Sequence, residues 1–119
     1  MARDVAHPAA GVMLDSFHMT IEEDNLEHAI LTAGDLLIHM QVSENQRGVP
    51  GTGLTDWAAI ARALHAVNYT GIVTIESFTP DNRDLAAAVC IWKRRTPDQD
   101  TFARRGLQFL KNLLNHQAS

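Results

Sequence analysis

Three short apolar runs in this 119-residue chain each end in side chains that can bind a cation or move a proton. Asp15 closes the first, with His18 three places on; His39 and Gln41 close the second, with Glu44 and Arg47 beyond; Glu76 and Ser77 close the third. Asp15 and Glu76 offer the hard oxygens that Mg or Mn prefers, and an imidazole or an amide oxygen can complete such a set. Two carboxylates and one further donor suit a Lewis-acid site. A cation on the hydroxyl and carbonyl oxygens of a sugar would stabilise the enediolate left when the intervening C–H proton is removed, with a glutamate as base. A single carboxylate at such a position is equally well explained as a loop cap. Three in succession are harder to explain that way.

The elements that must hold these residues follow from the hydrophobic pattern. Residues 1–10 show no periodicity and are expected to be irregular, leaving 11–119 as one domain. Gly11 to Leu14 reads as a buried strand ending at Asp15. Thr20 and Glu23 form a capping box for a helix in which Leu26, Ala29, Ile30 and Ala33 share a face until Gly34. Leu36 to Val42 is a second strand, followed by a polar, glycine-rich loop from Ser43 to Thr55. Thr55 or Asp56 can cap a helix whose apolar face is Trp57, Ile60, Ala61, Leu64 and Val67, and Ile72 to Glu76 is a third strand. Residues 82–94 and 98–114 read as two further helices separated by Thr96 and Pro97.

Strands apolar on both faces and alternating with amphipathic helices imply an α/β fold with a parallel sheet, either open and doubly wound or an α/β barrel. In both, the C-terminal strand ends face the site. Three units cannot close a barrel of eight strands and roughly 250 residues, so the expectation is the C-terminal part of a TIM (β/α)8 barrel, strands six to eight, with open edges.

Composition narrows the partners. A net charge of −4 and a pI near 5.8 disfavour a broad basic surface for nucleic acid or acidic membrane, and a small polar ligand fits better. No run is long and apolar enough to span a membrane, and the first ten residues lack a signal-peptide block, so a cytoplasmic location is expected. Cys90, the only cysteine, lies in the apolar run 86–92 and is expected to be a buried structural thiol. Trp57 and Trp92 read as packing residues, and His28, His65 and His116 as surface histidines. Gly51-Thr52-Gly53 reads as a plain loop, and the basic clusters 93–95 and 104–105 as solvated charge near helix ends.

The segments Gly-Val-Met-Leu-Asp-Ser-Phe-His-Met (11–19) with Ile-Glu-Glu (21–23), Ser-Glu-Asn-Gln-Arg-Gly-Val-Pro-Gly-Thr-Gly (43–53), Ile-Glu-Ser-Phe (75–78) and Ala-Val-Cys-Ile-Trp-Lys (88–93) resemble the ketose 3-epimerases of the D-tagatose and D-psicose type. These are sugar isomerases/epimerases on xylose-isomerase-like TIM barrels. The resemblance implies that Asp15 is a metal ligand, that His18 and Arg47 bind substrate oxygens, and that Glu76 is both ligand and catalytic acid or base. It also implies a divalent cofactor (Mn or Mg, with Co possible), a sugar substrate, and a partner glutamate on strand five that this chain does not supply. Where the family has a metal-binding histidine, six residues before the arginine, this sequence has Gln41. An amide oxygen can ligate a hard cation, and His39 could take over only if the strand end moved by one pleat, about 7 Å. Two rival readings are a non-catalytic half-barrel that assembles through its open edges as a homo-oligomer, and a metal-dependent hydrolase of the endonuclease IV type. The expectation for the isolated chain is an incomplete site with little activity.

Overall fold

The computed structural model describes residues 1–115. Its elements are α1 (Ala2–Val5), β1 (Val12–Asp15), α2 (Ser16–Glu22), α3 (Leu26–Ala33), a 3-10 turn (Gly34–Leu36), β2 (Leu37–Val42), α4 (Trp57–Ala66), β3 (Ile72–Ile75), α5 (Arg83–Ala88) and α6 (Gln99–Asn115). The strands form one parallel sheet in chain order, β1-β2-β3. A slip in register between Val12 and Met13 turns both Leu37 and Met40 toward the core, while Ile38 is left exposed.

One face of the sheet supplies the core. Leu37, Met40 and Val42 pack with Ile30 of α3, Trp57, Ile60, Ala63 and Leu64 of α4, and Leu110 of α6, and Leu14, Val73 and Ile75 flank them. Burial of such side chains stabilises by about 1.5–3 kcal/mol each, which is what holds these helices on the strands. The other face keeps Met13, Ile38 and Ile72 at 55%, 62% and 70% exposure. Helices on one face only is the layering of a barrel sector, in which the bare face looks inward; a doubly wound sheet carries helices on both.

Several expected boundaries moved, each for a local reason. The capping box at Thr20 and Glu23 does not form. Asp15 ends β1 and also caps α2, accepting from Phe17 N at 2.8 Å and His18 N at 3.3 Å. Thr20 therefore falls inside α2, where its hydroxyl donates to the Phe17 carbonyl, and Asn25 caps the separate helix α3. Asp56 caps α4 through Ala59 N. The helix expected over 82–94 stops at Ala88, because Cys90 adopts a left-handed conformation (φ 58°). Cys90 N then donates to Ala87 O and Ile91 N to Ala86 O, the Schellman pattern that ends a helix. Neither Cys90 nor Trp92 is a core residue: the thiol is exposed, and the indole is 82% exposed. The last helix matches its pattern, with Phe102, Gly106 and Leu110 buried. Trp57 is buried as expected, and His28 and His65 are exposed; His116 lies outside the described residues.

The left-handed turn at Cys90 carries a penalty of roughly 1 kcal/mol for a residue with a Cβ, which glycine avoids. Cys90→Gly is expected to raise the thermal midpoint by a few degrees, measured by circular dichroism. A lower midpoint would show that the thiol contributes packing that its exposure does not suggest.

Candidate functional site

Parallel register brings the strand ends level. Asp15 pairs with Gln41 across β1 and β2, and Gln41 pairs with Thr74 across β2 and β3, so all three side chains leave the same face. Glu76 lies two residues past Thr74 and stays on that face, its N–H donating to the Val42 carbonyl at 2.8 Å. Gln41 Nε2 donates to Glu76 Oε1 at 2.9 Å. His39 sits one pleat lower, opposite Met13 and Ile72, and its Nε2 is 2.7 Å from Thr74 Oγ1. Gln41, not His39, is thus level with Asp15 and joined to Glu76.

Arg47 reaches the same point from the loop after β2. Its backbone is left-handed (φ 63°), and its guanidinium forms an ion pair with Glu76 Oε2. The guanidinium lies over the Phe17 ring, Cζ 3.5 Å from the centroid, and 5.1 Å from that of Phe78. The two rings add cation–π attraction to the ion pair, and Arg47 is buried. Ser16 locks the ends of β1 and β2 together: its hydroxyl donates to the Ser43 carbonyl at 2.6 Å and accepts from Ser43 N at 2.8 Å. His18 is exposed on α2, beside Phe17 and along an open groove with Met13, Leu14 and Asp15.

Gln41 and Arg47 therefore both contact Glu76, Asp15 is level with Gln41, and His18 stands on the rim one helical turn away. Sequence reasoning did not assign Phe17 and Phe78, although both lie inside the quoted motifs next to polar site residues. It also left Glu44 without a role. The Glu44 carboxylate is fully buried; burial pushes its pKa up, but hydrogen bonding from Thr55, Trp57 and the Asn45 N–H more than offsets this and holds it below the ordinary value.

The oxygens available are hard donors. Among the described residues, Asp15 Oδ2 and Gln41 Oε1 make no hydrogen bond, whereas both oxygens of Glu76 are engaged, by Gln41 and by Arg47. No three His, Cys, Asp or Glu side chains among the described residues converge on one metal position. By type, two carboxylates and one amide are the hard oxygen donors that a divalent cation takes. No helix among the described residues is long and apolar enough to cross a membrane.

A parallel sheet with helices outside and polar side chains gathered at the C-terminal strand ends defines an α/β barrel-type protein with its site at that end. The model of the xylose isomerase-like TIM barrel family matches residues 1–113, and the chain belongs to that family. It is similar to the L-ribulose 3-epimerase of Methylomonas sp. (strain DH-1), 37% identical over 110 residues, covering 91% of this chain and 38% of that protein. The D-psicose 3-epimerase of Agrobacterium fabrum (strain C58 / ATCC 33970) is 38% identical over 117 residues, covering 94% of this chain and 40% of that protein. A solved L-ribulose 3-epimerase structure superposes with a TM-score of 0.87 at 31% identity, covering 96% of this chain and 39% of that one. The chain spans about two fifths of the length of the relatives it matches.

The lowered pKa of Glu44 gives a signed pH dependence. Its contribution to stability is complete above the ordinary glutamate value and is lost as pH falls through the lower folded-state value. The stability gap between the chain and Glu44→Gln, measured by urea unfolding, is expected to be widest near neutral pH and to shrink on acidification. A gap that grows on acidification would contradict an ionised Glu44.

Proposed function

We propose that this chain carries the C-terminal strand ends, six to eight, of a metal-dependent sugar isomerase/epimerase that moves a proton on a carbon next to a ketose carbonyl. The observation that carries the reading is the meeting of Gln41, Arg47 and Glu76 at one end of the sheet, level with Asp15. The similar proteins named for 3-epimerisation of L-ribulose and D-psicose supply the substrate class, a ketose.

Glu76 is the acid–base residue in this reading. Its carboxylate is 23% exposed, open enough to meet a substrate C–H, and Arg47 pairs with its Oε2. Arg47 and His18 would bind substrate hydroxyl and carbonyl oxygens, Arg47 turning part of its guanidinium from Glu76 to the substrate. Phe17 and Phe78 add cation–π attraction that helps to hold that guanidinium. Asp15, Gln41 and Glu76 would hold a divalent ion, Mn or Mg, through oxygen. When bound, the ion supplies polarisation of the ketose oxygens. Inversion needs a second acid–base group on the opposite face of the substrate, and a strand-five glutamate is the proposed source. The isolated chain would therefore exchange a substrate proton on one face without inverting the carbon.

Mass spectrometry and NMR of ketoses incubated with the chain and Mn in heavy water test this. The expected result is slow deuterium incorporation next to the carbonyl without a new epimer, lost in Glu76→Gln and weakened tenfold or more in Asp15→Asn. Epimer formation as fast as exchange would overturn the one-carboxylate reading, and absence of both Mn binding and exchange would remove the proposal. Gln41→His is expected to tighten Mn binding by titration calorimetry, since imidazole adds a nitrogen donor; unchanged affinity would take Gln41 out of the ligand set.

A second reading rests on the bare sheet face. Met13, Ile38 and Ile72 are exposed on large apolar side chains, and β1 and β3 are open edges, so the chain would associate with further strands or with its own copies. Sedimentation of the chain against a Met13→Gln, Ile38→Gln, Ile72→Thr triple variant is expected to show self-association that the variant loses. A monomer at high concentration would exclude the assembly role.

A further inference from the structure

The proposed reaction gives Glu44 no task, yet its carboxylate is the most fully bonded group near the site. Oε1 accepts from Asn45 N at 3.1 Å and Thr55 N at 3.0 Å, and Oε2 accepts from Gly51 N at 2.9 Å and the Trp57 indole at 2.8 Å. A carboxylate has about four lone-pair positions, so this one is saturated. No Lys or Arg is paired with it among the described residues, and at 0% exposure it is held by neutral hydrogen-bond donors. An unpaired buried charge would cost several kcal/mol, so the four donors are a condition of the fold here rather than an ornament to it.

Each donor comes from the thirteen-residue stretch that follows, between Asn45 and Trp57. Gly51 has φ 88°, and a Cβ there would stand 2.3 Å from the Phe109 ring, so the loop is pinned between Glu44 on one side and α6 on the other. Arg47 sits inside the pinned segment, its own N–H bonded to the Glu44 carbonyl at 2.9 Å and its backbone left-handed. A residue in that conformation costs roughly 1–3 kcal/mol and persists only where its surroundings fix it. The bonds to Glu44 on both sides of Arg47 are such a fixture.

We infer that Glu44 is a positioning residue: its carboxylate gathers residues 45–57 into one shape, and that shape delivers the Arg47 guanidinium to Glu76 beside Phe17 and Phe78. The inference rests on the reading of Glu76 as the acid–base group, but its test uses no turnover. The competing account is that Glu44 serves only the start of α4 and the loop, while the two phenylalanines hold Arg47 unaided.

Solvent exchange of the Arg47 Nε–H, followed by NMR, separates the two. That atom is buried and has no hydrogen-bond partner among the described residues, so its protection reports directly on how well the guanidinium is held. In Glu44→Gln, with the Met40, Val42 and Ile75 amides unshifted, exchange at Arg47 Nε–H is expected to rise about tenfold, the scale of one lost hydrogen bond to a buried charge. Faster exchange at the Trp57 indole with no change at Arg47 would overturn the inference. Should the variant lose its sheet signals, the same question is put to the unmodified chain under native conditions with low urea. Gly51 N–H, Trp57 Nε1–H and Arg47 Nε–H are then expected to share one opening reaction and one urea dependence. A separate urea dependence for Arg47 would again overturn it. Failure of the deuterium exchange into ketose would remove the role of Glu76 and leave the result for Glu44 and Arg47 standing.

Discussion

The carboxylate of Glu76 is where the separate parts of this chain meet. It extends β3, takes an amide hydrogen bond from β2, and pairs with a guanidinium from the loop beyond β2. Each of those partners is tied to something else: Gln41 is in parallel register with Asp15, and Arg47 stands over the Phe17 ring at the start of α2, in a loop whose backbone is bonded to Glu44. The group accepts from a neutral donor and from a cation, and at partial exposure it still faces solvent. Sheet, loop and helix thus converge on a carboxylate held by two partners and still reachable.

Much of this was legible in the sequence because it depends on short-range pattern. The three strand cores, the Asp56 cap of α4 and the burial of Trp57, Ile60 and Leu64 follow from apolar periodicity and a cap residue. A side-chain period of two puts His39 and Gln41 on one face, but which of them is level with Asp15 came only from the strand register. What was illegible depended on where helices begin and end. Nothing in Thr20 and Glu23 shows that Asp15 has already started a helix five residues earlier, which turns a plausible cap into a mid-helix threonine. The run from Ala86 to Trp92 looks continuous until Cys90 takes a left-handed conformation, a backbone choice that no apolar pattern records.

The role of Glu44 was hidden for a different reason. Sequence reading treats an acidic residue beside a strand end as a solvated loop residue or a ligand, and Glu44 is neither. Its partners are mostly backbone N–H groups, which every residue but proline possesses, so no residue type at any spacing announces them. Only Trp57, with its indole donor, leaves a mark in the sequence, and there its apolar body is the more visible property. The pair of aromatic rings beside Arg47 was similarly masked, because Phe17 and Phe78 lie 61 positions apart and only the sheet brings them to one guanidinium.

Strand order follows chain order, and each connection runs over the same face. Adding a strand at either edge therefore disturbs no existing hydrogen bond in the sheet; the newcomer displaces only the water solvating the outer N–H and C=O groups of β1 or β3. Growth by accretion is open at both ends. The helical side, where Met40 and Ile60 are already sealed, need not be rebuilt when it happens.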